Sequence, residues 1–135
     1  MMNAYDQAAF LQKALHNLPE ASGQEQKTKA VLMEFLNGVQ GLTVVDKGAW
    51  FYAVHREGNT VPSVGFRAEM DAIADENGQI YHGCGHDGHC AIVAALATWT
   101  AEKTLGKNVY FVFQHAEETG EGAKACAELF GEENV

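Results

Sequence analysis

Val109-Tyr110-Phe111-Val112-Phe113 decides how this chain folds. Five consecutive β-branched and aromatic residues leave no polar face, so the segment predicts a strand buried on both sides. Such a strand sits centrally in a sheet covered by helices. Upstream, Gly88 to about Glu102 predicts a helix carried by Ile92, Val93, Ala95, Leu96 and Trp99. Before it, Val61 to Ala68 predicts another strand, with Pro62 near its start, where a missing amide is tolerated. Strand, helix and strand in this order make a crossover from Val64 to Phe113, the connection that joins parallel strands.

The flanking segments fill in the rest. A first helix is predicted from Tyr5 to Asn17, with Leu11, Leu15 and Leu18 on one stripe and Pro19 ending it. Ser22 and Glu25 have the spacing of a capping box. The helix they open carries Val31, Leu32, Phe35, Leu36 and Val39 and closes at Gly38 or Gly41. Leu42–Val45 and Ala49–His55 predict strands joined at Lys47-Gly48, Gly58-Asn59 the next turn, and Asp75-Glu76-Asn77-Gly78 another. A last helix is expected over Gly122 to Phe130. The expected fold is α/β: a mixed, mostly parallel sheet flanked by helices, in one domain without repeats or linkers.

Composition narrows the function. The 135 residues are 47% hydrophobic and 20% charged, the balance of a globular protein. A net charge of −9, with no basic stripe, argues against nucleic acid as a partner. The longest apolar run, Cys90 to Trp99, is too short to span a bilayer, and no signal-peptide pattern opens the chain. The three cysteines are an odd number, and two lie within a histidine cluster. A disulfide framework is therefore not expected, and a reducing cytoplasm is.

That cluster is His82-Gly83-Cys84-Gly85-His86-Asp87-Gly88-His89-Cys90. Imidazole and thiolate bind transition metals best, and glycines let a loop wrap them around one ion. In open sheets, ligands bind beyond the C-terminal strand ends. Asp71 follows one predicted strand, Cys84 and His86 open the next helix, and Glu117-Glu118 follow the buried strand. A divalent metal held by Cys84, His86 and one of these glutamates would polarise a carbonyl and acidify a bound water. The other glutamate would move the proton, and Asp71 would accept the second ring proton of a ligand histidine. Taken singly, His82 and His89 read as loop or cap residues, Cys90 and Cys126 as core, His115 as packing, and His16 as support for the Pro19 turn. A structural zinc site closed by Cys84, His86, His89 and Cys90 is the rival reading.

Four segments carry a resemblance. Leu15-His16-Asn17-Leu18-Pro19-Glu20-Ala21-Ser22 with Glu25, Arg67-Ala68-Glu69-Met70-Asp71-Ala72, the cluster itself, and Phe113-Gln114-His115-Ala116-Glu117-Glu118 continuing through Gly120 to Ala125 resemble, in order and spacing, the metal-dependent amidohydrolases. This is the group of aminoacylases, N-acyl-diaminopimelate deacylases and auxin-conjugate hydrolases, related to zinc exopeptidases. The resemblance implies Cys84, His86 and Glu118 as metal ligands, Glu117 as general base and acid, and Asp71 as supporting carboxylate. It implies one or two divalent ions, zinc or manganese, and a small N-acyl amino acid or peptide-like amide as substrate. A metallo-exopeptidase of the same superfamily is the alternative. Glu69, Ala74, Cys90 and His115 depart from the family pattern without removing an implied ligand. Family enzymes are longer, with further histidine ligands and a lid or dimerisation domain. Residues 1–135 are therefore expected to be the N-terminal portion of a single catalytic domain, inactive alone, with homo-oligomers formed by the full-length protein.

Overall fold

The computed structural model describes residues 2–135. The chain runs α1 (Ala4–His16), α2 (Gln26–Leu36), β1 (Thr43–Asp46), β2 (Phe51–His55), β3 (Ser63–Glu69), β4 (Ile73–Ala74), β5 (Ile80–Tyr81), α3 (His86–Thr100), β6 (Asn108–Gln114), α4 (Gly122–Cys126) and α5 (Leu129–Glu132). Four strands form one sheet in the order β1-β2-β6-β3, and β4 pairs with β5 separately. As its all-apolar sequence requires, β6 lies inside the sheet and is buried along its whole length.

β6 pairs in parallel with β3, from Ser63 opposite Asn108 to Glu69 opposite Gln114, with α3 as the crossover between them. The sheet is mixed and helix-flanked as expected, but its balance differs. β1–β2 and β2–β6 are antiparallel, leaving one parallel ladder among the described residues. The tight Lys47-Gly48 turn accounts for the first of these pairs, because it can only return the chain antiparallel. Gly48 takes φ +89° there.

Two apolar layers hold the sheet. On one face, Leu11 and Leu15 of α1, Leu32 and Leu36 of α2, and Cys90, Ala91, Ala94 and Ala97 of α3 pack over Phe51, Ala53, Phe111 and Phe113. The alanines let α3 approach closely, and Phe51 stacks on Phe113 at 4.6 Å between ring centroids. On the other face, Cys126 and Leu129 cover Trp50, Tyr52, Val54, Tyr110 and Val112. Glu133 then fastens the C-terminal end, bonding Arg56 and accepting from the Tyr52 and Tyr110 hydroxyls at 3.1 Å each. Burial and the Glu133 carboxylate push the Tyr52 phenol up to about 12.

Three local expectations are corrected. The last helix is two short ones, because i→i−3 bonds from Glu128 to Ala125 and from Phe130 to Ala127 tighten the chain between them. α3 starts at His86 rather than Gly88: Gly85, at φ +86°, turns the chain so that His86 lies in the first helical turn. The third concerns Ser22 and Glu25, whose side chains do not cap α2. Glu20 does so instead, accepting from the amides of Lys27 at 3.2 Å and Thr28 at 2.5 Å. No helix among the described residues is long and apolar enough to cross a membrane.

Candidate metal centre

Asp71 stands at the end of the β3 segment, wholly buried. One of its oxygens, Oδ2, accepts from Ser22 Oγ at 2.6 Å and from the Glu118 amide at 2.9 Å. The serine expected to cap a helix therefore holds a site carboxylate. Burial alone would raise the Asp71 pKa, but the Ser22 and Glu118 donors and the neighbouring His86 hold it below its ordinary value.

His86 is equally buried, and its Nδ1–H donates to the Asp71 carbonyl oxygen at 2.8 Å. Since a carbonyl can only accept, the proton sits on Nδ1 and Nε2 carries a free lone pair. The acceptor is thus the main chain of Asp71 rather than its carboxylate, whose Oδ1 stands 3.2 Å from Nδ1 and has no hydrogen-bond partner of its own. Nε2 faces Glu117 Oε1 at 3.4 Å and Glu118 Oε1 at 3.7 Å. Burial opposes a positive His86, but the Asp71 carbonyl and the carboxylates of Glu69, Asp71 and Glu117 raise its pKa overall.

Cys84, His86 and Glu118 each place a ligand atom within 4.8 Å of the others. Burial, and then the Glu118 and Asp71 carboxylates, push the Cys84 thiol up. An imidazole lone pair, a thiol and two carboxylates that converge in this way are all electron-pair donors, and a divalent cation is what their chemistry fits. The residues present can therefore hold a metal ion.

The glutamate pair is delivered by an unusual backbone. Ala116 has φ +46°, the one non-glycine residue among those described with a positive φ, a strain of roughly 1 kcal/mol or more. Gly122 donates to the Ala116 carbonyl at 3.1 Å. A Cβ at Gly122 would lie 1.6 Å from the His115 carbonyl oxygen, so only glycine allows this closure. Buried Glu25 accepts from the Ala116 amide at 2.6 Å.

The remaining histidines and cysteines find other places. His89 Nδ1 donates to Glu69 Oε1 at 2.8 Å, and these two with His86 form a second group of metal-binding type. Cys90 is fully buried and its thiol donates to the Glu69 carbonyl at 2.9 Å, which turns it away from the rival zinc set. Cys126 lies in the second apolar layer, as expected. His16 does not serve the Pro19 turn: its Nδ1 donates to Asp87 at 2.8 Å, and its ring stacks on buried His82. His115 is half-buried at the strand end.

An α/β layer that gathers imidazole, thiol and carboxylates beyond the ends of its parallel strands defines a metal-binding class of α/β protein. The chain belongs to Peptidase family M20/M25/M40, whose sequence model matches residues 53–135. N-acetyldiaminopimelate deacetylase of Priestia megaterium is 32% identical over 127 residues, spanning 84% of this chain and 34% of that protein. The protein of the same name from Listeria monocytogenes is 32% identical over 130 residues, spanning 87% and 35%. Among solved structures, a dinuclear metal binding peptidase of the M20 family from Bacillus subtilis superposes with a TM-score of 0.83 at 26% identity, over 93% of this chain and 39% of that one. The chain thus spans about a third of the length of the curated relatives it matches.

Proposed function

We propose that this chain is the N-terminal portion of the catalytic domain of a metal-dependent amidohydrolase acting on N-acyl amino acids or short peptide-like amides. The observation that carries the reading is the convergence of Cys84, His86 and Glu118, with Glu117 beside them. Cys84 as thiolate, His86 through Nε2 and Glu118 through a carboxylate oxygen are the ligands. Thiolate and imidazole favour zinc, and manganese is the second candidate, as one ion or two. When bound, such an ion polarises an amide carbonyl and acidifies water.

Glu117 does the proton work. Its side chain is about one-third exposed, so water reaches it while it still faces His86. It takes a proton from the attacking water and, once protonated, delivers it to the departing amine. Asp71 fixes the Glu118 amide and sits against the far edge of His86, which keeps both ligands aimed at one point.

The sheet itself supports a larger domain. β3 is an edge strand, with Val64 and Phe66 36% and 43% exposed, and among the described residues no strand pairs with its outer edge. We propose that the remaining length seen in the relatives packs there, supplies further ligands and carries any subunit contacts. The three free cysteines fit a cytoplasmic location.

A substrate panel tests this reading. The full-length protein with zinc or manganese should release amine from N-acetyl amino acids, and a chelator should stop it. Cleavage of dipeptides alone would favour the exopeptidase reading, which the peptidase from Bacillus subtilis supports by its structural likeness. No hydrolysis of either class by metal-replete protein would overturn the proposal.

A further inference from the structure

We propose that Glu25 is a positioning residue: its carboxylate clamps the strained Ala116 peptide and so aims Glu117 and Glu118 at the metal. The inference rests on the hydrolase reading for the roles of those two glutamates, but the clamp itself is a matter of this chain's geometry.

Glu25 is 4% exposed, and among the described residues no basic side chain bonds it. A buried carboxylate in that position needs a donor, and the one it has is the Ala116 amide, at 2.6 Å and ninety-one positions away in sequence. That donor belongs to the one non-glycine residue among those described with a positive φ, immediately before the glutamate pair. An alanine prefers ordinary extended or helical backbone. Returning to it would rotate the Ala116 amide and swing Glu117 and Glu118 away from His86 Nε2. Three bonds oppose that relaxation: Gly122 and the Thr119 hydroxyl donate to the Ala116 carbonyl at 3.1 and 3.3 Å, and Glu25 accepts from its amide. The charged acceptor makes the strongest of the three.

The same loop receives a second hold from the same sequence segment. Ser22 fixes Asp71, whose Oδ2 also accepts from the Glu118 amide. The stretch Ser22–Glu25 therefore grips the glutamate loop at both Ala116 and Glu118, directly in one case and through Asp71 in the other. A helix cap would need neither residue to reach across the molecule. Glu20 already meets the free amides of α2, which leaves Glu25 to serve the loop.

The test uses the chain itself with Zn²⁺ as probe. Exchange of the Ala116 amide is followed by NMR, and Zn²⁺ affinity is measured by calorimetry. Glu25→Ala should speed exchange at least tenfold and weaken Zn²⁺ binding by about tenfold, the scale of losing a group that orients a ligand. Glu25→Gln, whose amide oxygen still accepts, should stay within about threefold of the parent in both. Adding Ala116→Gly to Glu25→Ala should restore most of the Zn²⁺ affinity, because glycine takes a positive φ without strain. A merely structural glutamate would give no such rescue.

Should Glu25→Ala not fold, Glu25→Asp takes its place, keeping the charge but shortening the reach, with the same expectation. Unchanged exchange in the Ala or Asp variant overturns the proposal. So does a folded double variant whose Zn²⁺ affinity stays as low as that of Glu25→Ala. If the parent itself does not bind Zn²⁺, the metal reading fails separately, and the exchange measurement alone decides the clamp.

Discussion

Glu117→Gln in the full-length protein is expected to lower turnover by about 10²–10⁴-fold, the usual worth of a positioned acid–base group, while leaving bound metal unchanged. The amide keeps the size and hydrogen bonding of the side chain but cannot take a proton from water. Its neighbour should behave differently. Glu118→Gln replaces the carboxylate proposed as a ligand, which stands 3.7 Å from His86 Nε2, and should lose metal and activity together. Turnover on an N-acetyl amino acid, read beside metal content per chain, separates the two adjacent residues. Loss of metal in the Glu117 variant would reverse their assignment.

Asp71→Ala is expected to be the most damaging change away from the ligands. The carboxylate accepts from Ser22 and Glu118 in a place without solvent. Its loss leaves the Ser22 hydroxyl and the Glu118 amide, both part-buried, without this partner, at roughly 1 kcal/mol for each bond lost. Metal affinity should fall about 10–100-fold, because the Glu118 amide loses its anchor, while His86 keeps only the main-chain carbonyl of residue 71. A pH signature accompanies this. The Asp71 pKa is held below its ordinary value, so its contribution is fully present above that value and is lost as pH falls through the lower, folded one. In the metal-free chain, Asp71→Asn should therefore flatten the acid limb of stability below about pH 4, where the parent loses this contribution. Equal acid sensitivity in the two chains, measured by urea unfolding across that range, would count against this account of Asp71.

The fold was legible where one pattern dominated. An all-apolar β6 admits only a central place, and the β3–α3–β6 crossover follows from strand–helix–strand order, which brings Asp71 and Glu117-Glu118 to one edge. Cys84, His86 and the glutamates could be named because a dense His/Cys loop is rare outside metal chemistry, although the resemblance separated Glu117 from Glu118.

What stayed hidden was long-range. Ser22 and Glu25 satisfy a local capping pattern, yet the helix they would cap is held by Glu20, and their side chains serve Asp71 and Ala116. Nothing in a local window distinguishes a cap from a clamp. The β4–β5 hairpin escaped because two-residue strands carry no alternation to read, although its Asp75–Gly78 turn was visible. His16 was misplaced because its partner, Asp87, lies 71 positions away.

Zinc titration of the chain and its single variants tests the central claim most directly. If Cys84, His86 and Glu118 hold the ion, Cys84→Ala and Glu118→Ala should each weaken Zn²⁺ binding at least tenfold, while Cys90→Ala binds as the parent does. Loss of binding in Cys90→Ala with Glu118→Ala unaffected would contradict the account and point to the closed four-ligand site instead.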